Sequence, residues 1–238
     1  MRDGRRVRVL YLHGMAETAT APKPAALAAS KQLDFYCPHL GVWHTHRNGI
    51  GLSLLKTLLP YLTATALGAL ALPVLGVRGR AWVALTFGLP SVAIFLARRL
   101  VLAQALGRSF DASYARALSA VRAFNPDVVV GFSWGGALAC RLAVEGAWSG
   151  PLLLLAPAHA HMGRIMQRPQ PAVPLPSRVR VVHSRADQIV PIEHSRALCR
   201  AAGVELTEVD DEPHKMWGIS PRLPAMVLEL AKPAAAPG

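Results

Sequence analysis

At 238 residues the chain can hold one sizeable α/β domain with its own core, and 52% hydrophobic against 17% charged residues is apolar for a soluble enzyme, which suggests a membrane-facing part. The net charge of +12 is carried by scattered arginines without interleaved aromatics, which excludes a nucleic-acid partner and leaves attraction to an anionic lipid surface, or the Arg- and Ala-rich composition of a GC-rich genome. Cys37, Cys140 and Cys199 are widely separated and odd in number, which excludes a disulfide framework and a zinc site and points to a reducing compartment.

The N-terminus Met1-Arg2-Asp3-Gly4-Arg5-Arg6 is basic, but the apolar run after it stops at His13-Gly14, too short for a signal-peptide core. That run, Val7 to Leu12, reads as a first strand. A loop rich in Ala, Thr and Pro leads to a helix from about Pro24 to Gln32, and Leu33 to Pro38 reads as a second strand cut short by its proline.

Between about Gly41 and Gly107 the composition changes. Residues 57–77 carry no charge and would span roughly 31 Å as a helix, about one hydrocarbon core. Residues 81–97 are again uncharged. Arg78-Gly79-Arg80 joins the two stretches, and Arg47, Lys56, Arg98 and Arg99 mark their other ends, the pattern of a helical hairpin. The larger basic count at the hairpin end that joins the rest of the chain places that rest in the cytoplasm, on the inner face of the membrane. Pro60, Pro73 and Pro90 would kink the helices. A soluble helical lid is the alternative to a hairpin in or on the bilayer.

Regular patterning resumes with Tyr114, Ala117, Leu118, Val121 and Phe124 on one helical face, closed by Asn125-Pro126. Then comes Val128-Val129-Val130-Gly131-Phe132-Ser133-Trp134-Gly135-Gly136-Ala137, a β-branched strand running through Gly-x-Ser-x-Gly into a helix. The turn is too tight for side chains at Gly131 and Gly135, and it lifts the Ser133 hydroxyl above the strand end. A fourth strand spans Pro151 to Pro157, and residues 167–177 form a proline-rich connector. Val179 to Ser184 is a fifth strand, a helix runs from about Glu193 to Ala202 with Gly203 as its stop, and Val204 to Val209 is a sixth strand. Ser220-Pro221 is the expected start of a last helix, and residues 232–238 read as a disordered tail.

Strands alternating with helices imply a doubly wound, mostly parallel six-stranded sheet, with reactive residues beyond the carboxyl ends of its strands. Ser133 follows the third strand, Asp187 the fifth and His214 the sixth. A serine hydroxyl needs a histidine to take its proton, and the histidine needs a carboxylate to hold its tautomer. Asp210, Asp211 and Glu212, just before His214, could serve as that carboxylate in place of Asp187, but a solvated acidic loop is the better reading of them.

The order Ser, Asp, His together with the serine elbow resembles the α/β-hydrolase superfamily, and in particular its small serine esterases. The resemblance covers nearly the whole of residues 1–238 as a single domain, except the apolar 41–107 insertion. Tyr11-Leu12-His13-Gly14 looks like the family's oxyanion-loop motif and Asp187-x-Ile189-Val190-Pro191 like its acid loop. The resemblance implies that Asp187 orients His214 and that the backbone N–H groups of Met15 and Trp134 form the oxyanion hole. The usual lid position, between the fourth and fifth strands, holds only the proline-rich segment. The insertion leaves the same sheet edge and could serve as a lid instead.

Other candidates carry less. His13 reads as structural. The pairs His44/His46 and His159/His161 lack an evident third metal ligand, so neither metal nor cofactor is expected. The sequence thus points to a serine hydrolase cleaving carboxylic esters or thioesters, on small-molecule or lipid acyl substrates, with membrane association through residues 50–106. The rival is a non-catalytic membrane-associated interaction module that retains the hydrolase fold.

Overall fold

A computed structural model describes residues 5–15, 17–42, 50–77, 79–168 and 173–232. The His44/His46 pair, Arg47, Arg78 and all of the expected tail but Lys232 lie outside the described residues. The chain divides into two compact units, one of residues 1–40, 112–164 and 168–238, the other of 41–111 and 165–167.

The first unit is built on six parallel strands: β1 (Val7–Leu12), β2 (Leu33–Tyr36), β3 (Val128–Phe132), β4 (Leu152–Leu155), β5 (Val179–Ser184) and β6 (Leu206–Val209), in the order β2-β1-β3-β4-β5-β6. The central strands β3 and β4 are buried along their whole length, which is why their sequences are continuous apolar runs rather than alternating ones. Val128, Val130, Leu153 and Leu155 join Leu27, Leu223 and Val227 in one core.

Register fixes which residues share an edge. Leu12 pairs with Gly131, Phe132 with Leu155, Leu155 with Val182, and Ser184 with Val209. The segments after β1, β3, β5 and β6 therefore leave along one line. The chain runs outward from β1 to β2 and returns to add β3 on the other side of β1, so the strand order reverses between β1 and β3. In open α/β sheets that reversal opens the crevice in which ligands sit.

Helices α1 (Pro22–Ala28), α5 (Trp134–Val144), α6 (His159–Ile165), α7 (Ile192–Ala202) and α8 (Leu223–Ala231) connect or follow these strands. Gly203 caps α7 in the left-handed conformation, as a helix stop requires. The last helix differs from expectation: Ser220-Pro221 lie inside a 3₁₀ turn, Trp217–Arg222, and α8 starts at Leu223. Pro224 supplies the early-helix proline instead.

The second unit contains α2 (Ile50–Val74), α3 (Gly79–Val83), a π-helical turn (Ala84–Gly88) and the first part of α4 (Leu89–Phe124). The helix does not stop at Gly107 but runs through it to Phe124, because one glycine costs a helix only about 1 kcal/mol. The π turn falls just before Pro90, whose missing N–H removes one α-helical bond. The Trp82 indole N–H donates to the Ala69 carbonyl at 3.3 Å and Arg108 to Thr57 Oγ1 at 2.7 Å, which ties α2 to the chain that returns beside it. Among the described residues one helical stretch, Leu54–Val74, is long and apolar enough to cross a membrane, and only 6% of its most apolar window is buried.

Candidate active site

Ser133 sits between β3 and α5 with φ 51° and ψ −111°, a conformation that non-glycine residues rarely adopt and that costs about 1–3 kcal/mol. Three backbone bonds hold it there. Ser133 N–H donates to the Leu155 carbonyl at 2.9 Å, and its own carbonyl accepts from Ala137 and Ala158, both at 3.0 Å. The flanking glycines are a steric requirement. A Cβ on Gly131 would lie 2.7 Å from the Gly135 carbonyl oxygen, and one on Gly135 would overlap the Leu12 carbonyl. The absence of that Cβ lets the start of α5 close onto the end of β1, so the elbow and the loop after β1 meet.

The acid comes from the loop after β5. Asp187 Oδ1 accepts from the N–H groups of Ile189 and Val190 at 2.8 and 2.9 Å, which closes the loop on itself. Oδ2 accepts from His214 Nδ1 at 2.6 Å and from His183 Nε2 at 3.1 Å. Burial by itself would raise the Asp187 pKa. The four donors, with the His183 ring the strongest, overcome it and hold the carboxyl well below the usual carboxylate range.

His214 lies beyond β6. Since a carboxylate can only accept, the His214 proton is on Nδ1, and Nε2 is left to accept from the Ser133 hydroxyl at 2.9 Å. The loops carrying acid and histidine are stitched together by Ser184, whose hydroxyl donates to the Glu212 carbonyl and accepts from Ala186 N–H at 3.1 Å. The structure thus brings Ser133, His214 and Asp187 into one hydrogen-bonded line. Asp210, in contrast, is engaged at the surface by Arg185 at 2.8 Å.

Met15 occupies the turn after Gly14, half-buried, and Trp134 opens α5 at the positive end of that helix dipole. The Trp134 side chain is buried in the core. His13 is a brace: its Nδ1–H donates to the Gly14 carbonyl at 2.8 Å, and Nε2 accepts from Leu40 N–H at 3.3 Å. Burial pulls its pKa down, which suits a ring that accepts at one nitrogen. His161 lies in α6 with its ring 6.1 Å from that of His194. Among the described residues, no three His, Cys, Asp or Glu side chains gather into a metal-binding group.

Two supports of the site have no signature in the sequence. His183 is buried, donates from Nε2 to Asp187 and to the Val190 carbonyl at 3.0 Å, and accepts at Nδ1 from Ser195 Oγ–H at 2.7 Å. A polar residue four positions before Asp187, at the end of an apolar strand, was its only trace. Glu17 is the second: Oε2 accepts from the Tyr11 hydroxyl at 2.7 Å and from Gly14 N–H at 3.3 Å, which fixes the loop that carries Met15.

Comparison with solved structures finds this fold elsewhere. The chain is similar to a protein of Xanthomonas campestris pv. campestris described as a proposed hydrolase of the α/β superfamily, with 18% identity, a TM-score of 0.56, and 94% of this chain and 98% of that one covered. A protein of Thermus thermophilus aligns with a TM-score of 0.52 at 12% identity, covering 96% and 90% of the two chains. At such identities the likeness is one of fold. Among curated proteins none matches. A family described as serine hydrolase matches residues 95–216, the stretch that contains Ser133, Asp187 and His214. Because that match takes in more than half of the chain, this protein belongs to the serine hydrolase family.

Proposed function

We propose that this serine hydrolase cleaves carboxylic esters or thioesters through an acyl-enzyme on Ser133. The observation that carries the reading is the continuous line from Ser133 Oγ to His214 Nε2 at 2.9 Å and from His214 Nδ1 to Asp187 at 2.6 Å. Ser133 Oγ attacks the acyl carbon while its proton passes to His214 Nε2, and the imidazolium so formed is stabilised by Asp187. The carbonyl oxygen becomes an oxyanion that the N–H groups of Met15 and Trp134 receive, each donor lowering the barrier by about 3 kcal/mol. Collapse breaks the bond to the alkoxide or thiolate, which takes the proton from His214. Water then repeats the sequence at the acyl-enzyme and releases the acid.

The proposed substrate class rests on the second unit. Leu67, Leu70 and Val74 on α2 and Leu89 and Phe95 on α4 are all more than half exposed, an apolar surface that a bilayer would cover. Lys56, Arg80, Arg98 and Arg99 flank it with charge complementary to anionic headgroups. Membrane association through residues 50–106, on the cytoplasmic face, makes a lipid or other long-chain acyl ester the natural substrate.

The test is labelling of the full-length protein with a fluorophosphonate probe, alongside Ser133→Ala and His214→Ala. Labelling that requires both residues supports the reading. Folded, detergent-solubilised protein that takes no label sinks it and favours a non-catalytic interaction module.

A further inference from the structure

We propose that Lys23 is a positioning residue that locks the oxyanion loop to the loop carrying His214, an inference that rests on the acyl-transfer reading of the site. Lys23 lies at the start of α1 and its side chain is fully buried. A lone ammonium in that position would be costly, so its partners define its role. Nζ pairs with Glu17 Oε1 at 2.9 Å and donates to the Lys215 carbonyl. It also stands 3.7 Å over the centre of the Phe132 ring.

Each partner leads to a reacting group. Glu17 uses its other oxygen to hold Gly14 N–H, one residue before Met15. Lys215 follows His214 directly, so its carbonyl sets the backbone from which the imidazole projects. Phe132 precedes Ser133, and its ring lies 5.2 Å from that of His214. The same ring is 2.8 Å from where a Cβ of Gly14 would stand, so it fills the space between the two loops. A single cation therefore fixes the oxyanion donor and the general base relative to each other, two groups that come from opposite ends of the chain.

A merely structural Lys23 would do no more than neutralise the buried Glu17 carboxylate. The variants that separate the two roles are Lys23→Met and the double Glu17→Gln/Lys23→Met, in which no charge is left unpaired. With p-nitrophenyl butyrate as substrate, Lys23→Met should lower kcat about 100-fold with KM little changed, the effect of misplaced groups rather than lost substrate binding. The double variant should recover thermal stability but not kcat, because nothing then grips the Lys215 carbonyl. Hydrogen exchange gives a reading independent of turnover: peptides covering Gly14 and Lys215 should both lose protection in the double variant. Full kcat in the double variant, or loosening at Gly14 alone, overturns the role of Lys23. If Lys23→Met does not fold, the double variant still decides. Wild-type protein that neither labels nor turns over would refute the acyl-transfer reading instead, while exchange at the two peptides still reports on the coupling.

Discussion

His183 and His214 donate to the same carboxylate oxygen, Asp187 Oδ2, at 3.1 and 2.6 Å. Only one of these rings reaches the serine. The other, fixed by Ser195 and the Val190 carbonyl, pins the acid in place and helps keep it ionised. Asp187→Asn should therefore reduce kcat by about 10⁴-fold, since an amide N–H facing His214 favours the wrong tautomer. Asp210→Asn, which touches only an exposed ion pair, should leave kcat within about twofold. Steady-state hydrolysis of an activated ester compares the two.

The same carboxylate makes stability depend on pH. The folded pKa of Asp187 is depressed below that of the unfolded chain, about 3.9 for an aspartate. Its contribution is complete above that unfolded value and is lost as pH falls through the folded one. Thermal melts between pH 6 and the acid limit should show the wild type losing stability below about pH 4, and Asp187→Asn a flatter acid limb.

Gly135 and Gly146 predict unequal costs for one substitution. At Gly135 a Cβ meets the Leu12 backbone carbonyl, which cannot move aside without breaking β1, so Gly135→Ala should cost about 3 kcal/mol or more. Gly146 has open space around it and only a positive φ of 67°, so Gly146→Ala should cost about 1 kcal/mol. Urea denaturation of the two variants measures both.

Thiol reagents should leave activity intact. Burial pushes Cys37 and Cys140 up to about 12, with Glu17 adding to the effect at Cys37, and Cys199 up to about 11. Iodoacetamide at pH 7.5 should not reduce turnover, whereas a fluorophosphonate should abolish it. Inactivation by iodoacetamide would mean that a cysteine takes part.

The proposed membrane attachment is testable apart from catalysis. Leu67→Asp/Leu70→Asp puts two carboxylates on the most exposed face of α2, each costing about 3 kcal/mol at the centre of a bilayer. The variant should move to the soluble fraction while still taking the probe on Ser133. Parent protein that is soluble without detergent would rule out attachment through α2.

What the sequence determined by itself was local. The Val128 to Ala137 stretch specifies strand, strained turn and helix within ten residues, and continuous apolar runs such as Leu152 to Leu155 mark buried parallel strands because both faces are covered. The order Ser133, Asp187, His214 could likewise be read, since each follows a strand. Tertiary structure decided everything that depends on residues far apart in the chain: the strand order, the meeting of His214 with Asp187 beside three nearer carboxylates, the second donor His183, and the buried Lys23–Glu17 pair. A lysine before a proline, like a histidine at the end of a strand, has no local periodicity that distinguishes a buried role from an exposed one. The start of α8 at Leu223 was hidden for the same reason, because a Ser-Pro pair suits a 3₁₀ turn as well as a helix start, and packing of Leu223 and Val227 into the core decides between them.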